Sequence, residues 1–333
     1  MTENYNIYNL ISFSLINNIN KSLITRGFNP EYKYFENKKK AETNFTIIIK
    51  NISKTENGST IEYNNASWQI FFNDYASNRE VFIKPVKLGY RRLFPFLALK
   101  NLYVRSIIME QLLSVGGALV HSAAFSISGH SAILAGRPGV FKTSILMDAI
   151  RVYEASFIGE ENSLLYDGKV YPFPLNIDSI SYKINKYKDE NPSGKFQKVK
   201  LGLHLIKSFF NKSNSQITLS DPLKVDSVFY LTKGDQFQLE EVTFENILPS
   251  LIENELLEIS IPPTHSLSGI KYNYFKESMT AVNKDFIESF TSRLERVFTE
   301  NLKNTRCVRV VSPETYDLSI TSKIIESIYG KQK

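Results

Sequence analysis

Leu134-Ala-Gly-Arg-Pro-Gly-Val-Phe-Lys-Thr-Ser144 is the stretch on which the reading of this chain turns. The apolar Ser131–Ala135 predicts a strand leading into it, and Ser144–Arg151 carries the apolar period of a helix leading out. Strand, glycine-containing loop, Lys-Thr and helix come in the order a phosphate-binding loop needs. Loop amides and the helix N-terminus face an anion there, and the lysine adds a full positive charge. The template is Gly-x-x-x-x-Gly-Lys-Ser/Thr. Gly136, Lys142 and Thr143 fall on it, Phe141 stands where the second glycine is expected, and Gly139 lies two residues early. The expected cradle is therefore Gly136, Arg137, Pro138, Gly139, Val140, Phe141, Lys142, Thr143 and Ser144. It requires the Phe141 ring to turn outward, or the loop to take another shape, because glycine lets a backbone approach phosphate with no Cβ in the way. The competing reading is a strand–turn–helix corner with no ligand.

Two neighbouring features fit the cradle. The next strand, Ala155–Ile158, runs into Gly159-Glu160-Glu161. Adjacent carboxylates at the carboxyl end of the strand after a phosphate loop are where such folds hold Mg²⁺ or a catalytic base. Otherwise they are a surface acidic pair at a turn. His121 falls within a strand expected over Ala118–Phe125, either as a satisfied core residue or with its ring reaching the phosphates. His130, His204 and His265 show no metal-ligand spacing.

With 333 residues the chain outgrows a single core, so two domains are expected: a small α+β unit over 1–95 and an α/β unit over 96–333. A net charge of +6 suits an anionic ligand, but it is too mild to favour nucleic acid as a partner. The single cysteine, Cys307, excludes an intramolecular disulfide and any multi-cysteine metal site, and it reads as a core residue of a strand over Thr305–Val311, with a catalytic thiol as the alternative. No basic region precedes an apolar stretch near the N-terminus, and the apolar run Leu93–Leu99 is too short to span a bilayer and contains Pro95. A cytoplasmic protein with no membrane partner is the expectation, and sequons such as Asn44-Phe-Thr46 carry no glycosylation meaning in it.

In the first unit, strands are expected over Phe45–Lys50, Ser59–Tyr63 and Trp68–Phe72, with Asn57-Gly58 as a hairpin signal. Val104, Ile108 and Leu112 mark a helix that enters the second unit and ends at Gly116-Gly117. Ser163–Tyr166, Asp167-Gly168 and Lys169–Tyr171 spell a two-residue hairpin. The lysines of 182–200 read as an exposed basic loop that is either simply solvated or receives an anionic partner. A strand over Asp226–Thr232 is expected to pair with Gln236–Glu241. Thr243 then opens a helix that Pro249 can kink, Phe286 to Val297 forms another, and Ser319–Tyr329 closes the chain.

Taken together, Val120-His121-Ser-Ala-Ala124, the loop Gly136–Ser144, Phe157-Ile-Gly-Glu-Glu161 and Tyr171-Pro-Phe-Pro174 resemble the HPr kinase/phosphorylase superfamily, closest to the HPr-kinase-like proteins of peptide-modification clusters. The resemblance spans roughly residues 90 to 330. It implies a P-loop kinase core related to phosphoenolpyruvate carboxykinase. It also implies an ATP- and Mg²⁺-dependent transfer of the γ-phosphate to a hydroxyl, on Ser/Thr of a peptide or protein or on a small hydroxylated molecule. By position, Gly136, Gly139, Lys142 and Thr143 would hold the ATP phosphates, with Thr143 on Mg²⁺. His121 would sit near the transferred phosphate, Glu160 would replace the aspartate that acts as base, and Glu161 would be its acidic neighbour. Members of the family often assemble as homo-oligomers. Phe141 for glycine and Glu160 for aspartate are the two departures, and they keep a second expectation open: an interaction module that binds nucleotide without turning it over.

Overall fold

Why the loop, His121 and the two glutamates meet is answered by strand direction, visible in the computed structural model of the chain. The structure describes residues 2–17, 32–37, 44–49, 59–63, 66–73, 79–87, 105–175, 177–186, 217–260 and 286–330. It is a mixed α/β protein that divides into two compact units, 1–115 with 259–290 and 116–258 with 291–333. Among the described residues no helix is long and apolar enough to cross a membrane.

The first unit holds a six-stranded sheet: β1 (Thr2–Ile7), β2 (Ile11–Asn17), β3 (Phe45–Ile49), β4 (Ser59–Tyr63), β5 (Ala66–Asn73) and β6 (Arg79–Lys87). Their order across the sheet is β1-β2-β3-β6-β5-β4. β1 and β2 form a hairpin not anticipated from the sequence. Its turn residues Tyr8 and Asn9 both take positive φ, at 53° and 60°, as a type I′ turn requires. β3 and β4 are not neighbours in this sheet, and the hairpin signal Asn57-Gly58 lies outside the described residues. Tyr5, Phe13, Tyr32 and Phe45 pack face and edge over the start of this sheet, and all four are buried. α1 (Arg105–Ser114), read from the sequence as the entry to the second unit, groups with the first. The run Leu93–Leu99 lies outside the described residues.

The described residues of the second unit form ten strands: β7 (Ala118–Val120), β8 (Ser122–Ile127), β9 (His130–Gly136), β10 (Ser156–Gly159), β11 (Ser163–Tyr166), β12 (Lys169–Tyr171), β13 (Leu223–Lys224), β14 (Ser227–Lys233), β15 (Gln238–Val242) and β16 (Arg306–Ser312). Its helices are α2 (Lys142–Tyr153), α3 (Ile177–Lys186), α4 (Phe244–Ser260), α5 (Phe286–Leu302) and α6 (Leu318–Tyr329). The main sheet runs β10-β8-β9-β14-β16-β15, and a smaller antiparallel sheet runs β13-β12-β11-β7. β14 lies between two parallel partners, β9 and β16. Its residues Ser227–Leu231 are all buried, as a parallel strand covered on both faces demands.

Three sequence expectations are corrected here. The single strand over Ala118–Phe125 is two strands in different sheets, broken at His121, because β7 pairs with β11 while β8 pairs with β9 and β10. The segment after the Lys233–Asp235 turn does not pair with β14. It pairs antiparallel with β16, since both edges of β14 are already taken, by β9 and β16, and the far edge of β16 is open to it. Residues 182–186 of the basic stretch belong to α3 rather than to a loop, with Tyr182 buried, while Lys188, Lys195, Lys198 and Lys200 lie outside the described residues. Several readings agree with the structure: the Asp167-Gly168 hairpin, with φ of 51° and 66° at its corner, the helices of the last third of the chain, and Cys307 buried in β16.

The core of this unit lies where α2 packs on the main sheet. Ile145, Leu146 and Ala149 of α2 meet Ala123, Phe125, Leu134, Phe157 and Phe229 from the strands, and Ile320 and Ile324 of α6 join from the side. β9 and β10 run in the same direction with β8 antiparallel between them, Ser122 opposite Ala135 and Ala124 opposite Gly159. The start of β8 and the ends of β9 and β10 therefore share one edge of the sheet. That edge carries His121, the loop after Gly136, and Glu160. The ends of β14 and β16, Lys233 and Ser312, lie on the same side.

Candidate functional site

The loop leaves β9 at Gly136, whose φ is 139°. A Cβ built there would run into the Leu231 carbonyl oxygen of β14, so a side chain at this position would push β9 and β14 apart. Gly139 follows at a φ of 88° in open space, where the backbone conformation alone calls for glycine. Val140 turns back into the core and is buried.

Phe141 answers the question its sequence position raised. It is the residue before α2, at φ 68° and ψ 15°, the left-handed conformation that glycine takes without strain. For a bulky residue such a conformation costs on the order of 1–3 kcal/mol and persists only where the surroundings hold it. They do. The ring centroid lies 5.4 Å from that of Tyr316, and Lys233 Nζ sits 3.4 Å from the ring centre on its face. Lys233 also donates to the carbonyl oxygens of Pro313 and Glu314, at 3.0 and 3.2 Å. Tyr316 donates to the Asp148 carboxylate and shares a 2.7 Å hydrogen bond with Thr321 Oγ1. Arg151 donates to the other Asp148 oxygen at 2.7 Å. Burial, and then the adjacent Asp148 carboxylate, push the Tyr316 hydroxyl well above its ordinary pKa, which keeps it a donor. The aromatic is thus engaged by Tyr316 and Lys233, and the backbone keeps the course a glycine would give it.

α2 begins at once after this residue. Phe141 supplies no side-chain cap, the first turn carries no acidic residue, and Arg151 stands in the last turn. The positive end of the helix is therefore not countered by its own side chains, which is the condition for an anion site at a helix N-terminus. Lys142 reaches back over the loop, its ammonium donating to the carbonyl oxygens of Gly136 and, at 3.1 Å, of Arg137. Thr143 Oγ1 donates to Glu160 Oε1 at 3.1 Å, tying the first turn of α2 to the carboxyl end of β10. Glu161, next in the chain, is exposed at a φ of 64°.

A pocket of about 420 Å³ is lined by His121, Ala123, Pro138–Ser144, Glu160 and Glu161. The site residues expected from the sequence are thus brought together, with Gly136 at the base of the loop. Arg137 does not line the pocket: it is exposed and paired with Glu253 of α4 at 2.6 Å. No protein-family model matches the chain. No curated protein matches it either.

The donors around the pocket set its chemistry. A hydroxyl and two carboxylates are all-oxygen ligands, which suit a hard divalent cation such as Mg²⁺. Among the described residues no three His, Cys, Asp or Glu side chains converge as a cage. Mg²⁺ commonly takes only one or two protein oxygens and completes its shell with phosphate and water, so Thr143 and Glu160 fit it as they stand.

Sequence reasoning missed the residues that hold this site from behind. His121 stands at the corner between the two sheets. Its amide donates to Glu255 Oε1 at 2.6 Å, and its carbonyl accepts from Asn254 Nδ2 at 3.2 Å. Both partners lie on α4, more than 130 residues away in the chain, as Tyr316 is from Phe141. No local pattern signals such pairs.

Proposed function

We propose that the chain is an ATP- and Mg²⁺-dependent phosphotransferase with a P-loop kinase core of the HPr-kinase-like type, transferring a γ-phosphate to a hydroxyl of a peptide, a protein or a small molecule. The observation that carries the reading is the Thr143–Glu160 hydrogen bond beside Lys142, at the start of an uncapped helix. A hydroxyl and a carboxylate 3.1 Å apart beside a helix N-terminus would share one cation on this reading. The loop amides and the α2 N-terminus would receive the phosphates, and Lys142 would exchange the loop carbonyls for phosphate oxygens. Mg²⁺, when bound, would neutralise phosphate charge and fix the phosphates in line.

In the transfer, the acceptor oxygen bonds to the γ-phosphorus, the bridging bond to ADP breaks with its electron pair leaving on ADP, and the hydroxyl proton passes to a base. The resemblance gives the base role to Glu160. Its contact with Thr143 favours the cation for Glu160 and leaves Glu161 and His121, on the same pocket, to receive the proton. Transfer of labelled γ-phosphate tests the proposal: Lys142→Ala is expected to lower it on the order of 100-fold, and equal activity in the two proteins would overturn it.

A second reading, a nucleotide-binding module without turnover, draws on Phe141, which stands at the template's second glycine and lines the pocket. It predicts calorimetric binding of ATP with Mg²⁺ and no product after long incubation. On either reading the protein is proposed to act in the cytoplasm, with a homo-oligomer as the family-like assembly.

A further inference from the structure

We propose that Glu255, assisted by Asn254, is a positioning residue for His121, one of the residues that line the pocket; the functional consequence rests on the nucleotide reading above. His121 belongs to neither β7 nor β8, because it is the residue at which the chain passes from the small sheet to the large one. Both of its backbone polar groups are engaged by consecutive side chains of α4, the amide by Glu255 and the carbonyl by Asn254. The amide–carboxylate bond is 2.6 Å long, in the range of charge-assisted hydrogen bonds. Glu255 and Asn254 are each only 3% exposed. Burying a carboxylate is costly unless it is well bonded, and a turn that only needed its amide satisfied could use water or a neutral side chain. The residue just before, Glu253, faces Arg137 of the loop at 2.6 Å. One turn of α4 therefore touches both His121 and the first residue of the loop after β9. Ile247, Leu251 and Ile252 hold that helix in the core, so its polar turn is a fixed reference.

Fixing the His121 backbone fixes the direction in which its imidazole leaves the chain. A misplacement of about 1 Å in a catalytic group can cost about 100-fold in rate. Glu255 would thus act on the chemical step with little effect on nucleotide affinity. Two measurements test this. The first is the His121 amide proton resonance in the protein without nucleotide. Glu255→Gln is expected to move it upfield, because a neutral acceptor replaces a charged one, and Glu255→Ala to move it further and speed its exchange. Glu253→Ala is expected to leave it in place. The second is kinetic. Glu255→Ala is expected to lower kcat at least about 10-fold with the Kd for ATP and Mg²⁺ within about threefold, and Glu255→Gln, whose amide oxygen still accepts, to restore kcat to within about threefold. An unmoved His121 resonance in both Glu255 variants, an equal shift in Glu253→Ala, a wild-type kcat in Glu255→Ala, or equal impairment in Glu255→Gln and Glu255→Ala would each overturn the proposal. If the wild-type protein neither binds nor turns over ATP, the nucleotide reading fails, while the amide resonance still decides whether Glu255 holds His121.

Discussion

Individual side chains decide how this loop can deviate from its template. A phenylalanine at positive φ is tolerated because three neighbours share the cost: Tyr316 at the ring, Lys233 over its face, and Asp148 holding the Tyr316 hydroxyl. Removing that hydroxyl leaves Asp148 buried with Arg151 alone. Tyr316→Phe is expected to cost about 1–3 kcal/mol, read as a lower urea midpoint, with an unchanged midpoint counting against the network. Cys307 offers a second check. Burial pushes its thiol up to about 11, so little thiolate exists at neutral pH. Ellman's reagent is expected to react with it only on the timescale of unfolding, and fast labelling in native buffer would contradict its core position.

Helices and strands show where local signals suffice. α6 starts at Asp317, whose carboxylate accepts from the Ser319 amide at 2.7 Å and lies below its usual pKa because of its hydrogen bonds with Ser319. Asp317→Ala is expected to cost about 1 kcal/mol. A depressed folded-state pKa stabilises above the unfolded value, near ~4, and the contribution fades as pH falls through the lower folded value. The difference between wild type and variant in chemical denaturation should therefore be full at pH 7 and shrink in strong acid. An equal difference at pH 7 and pH 2 would argue against the cap. The Asp167-Gly168 hairpin was legible for a similar reason, since two residues at positive φ leave few sequence options. The burial pattern of β15 marks a half-exposed strand and says nothing about which ladder is open, so its pairing with β16 rather than β14 is not legible in it.

For the molecule as a whole, the sheet turns separate pieces of sequence into a site. Loop, His121 and Glu160 share an edge only because β8 runs against β9 and β10. The two compact units interleave in sequence, with 259–290 grouping with the first, which a reading along the chain cannot see. Ligand held by the second unit is expected to stabilise it by about 2.7 kcal/mol at 100 times its Kd. A thermal scan with ATP and Mg²⁺ should show the increase in wild type and lose it in Lys142→Ala. No shift in wild type would count against a nucleotide site.

Local residue pattern is enough to place the strand–loop–helix around Gly136, the lysine and threonine at its end, the hairpin at Asp167 and most helices. Each rests on residues within about a dozen positions, where apolar period and turn chemistry act directly. Tertiary structure alone decided that Ala118–Phe125 is split between two sheets, that β16 lies between β14 and β15, that Phe141 can stand in for glycine, and that α4 grips His121. Those outcomes depend on which edges and buried polar groups meet in space after the chain has doubled back over many tens of residues or more, and no short pattern encodes that meeting.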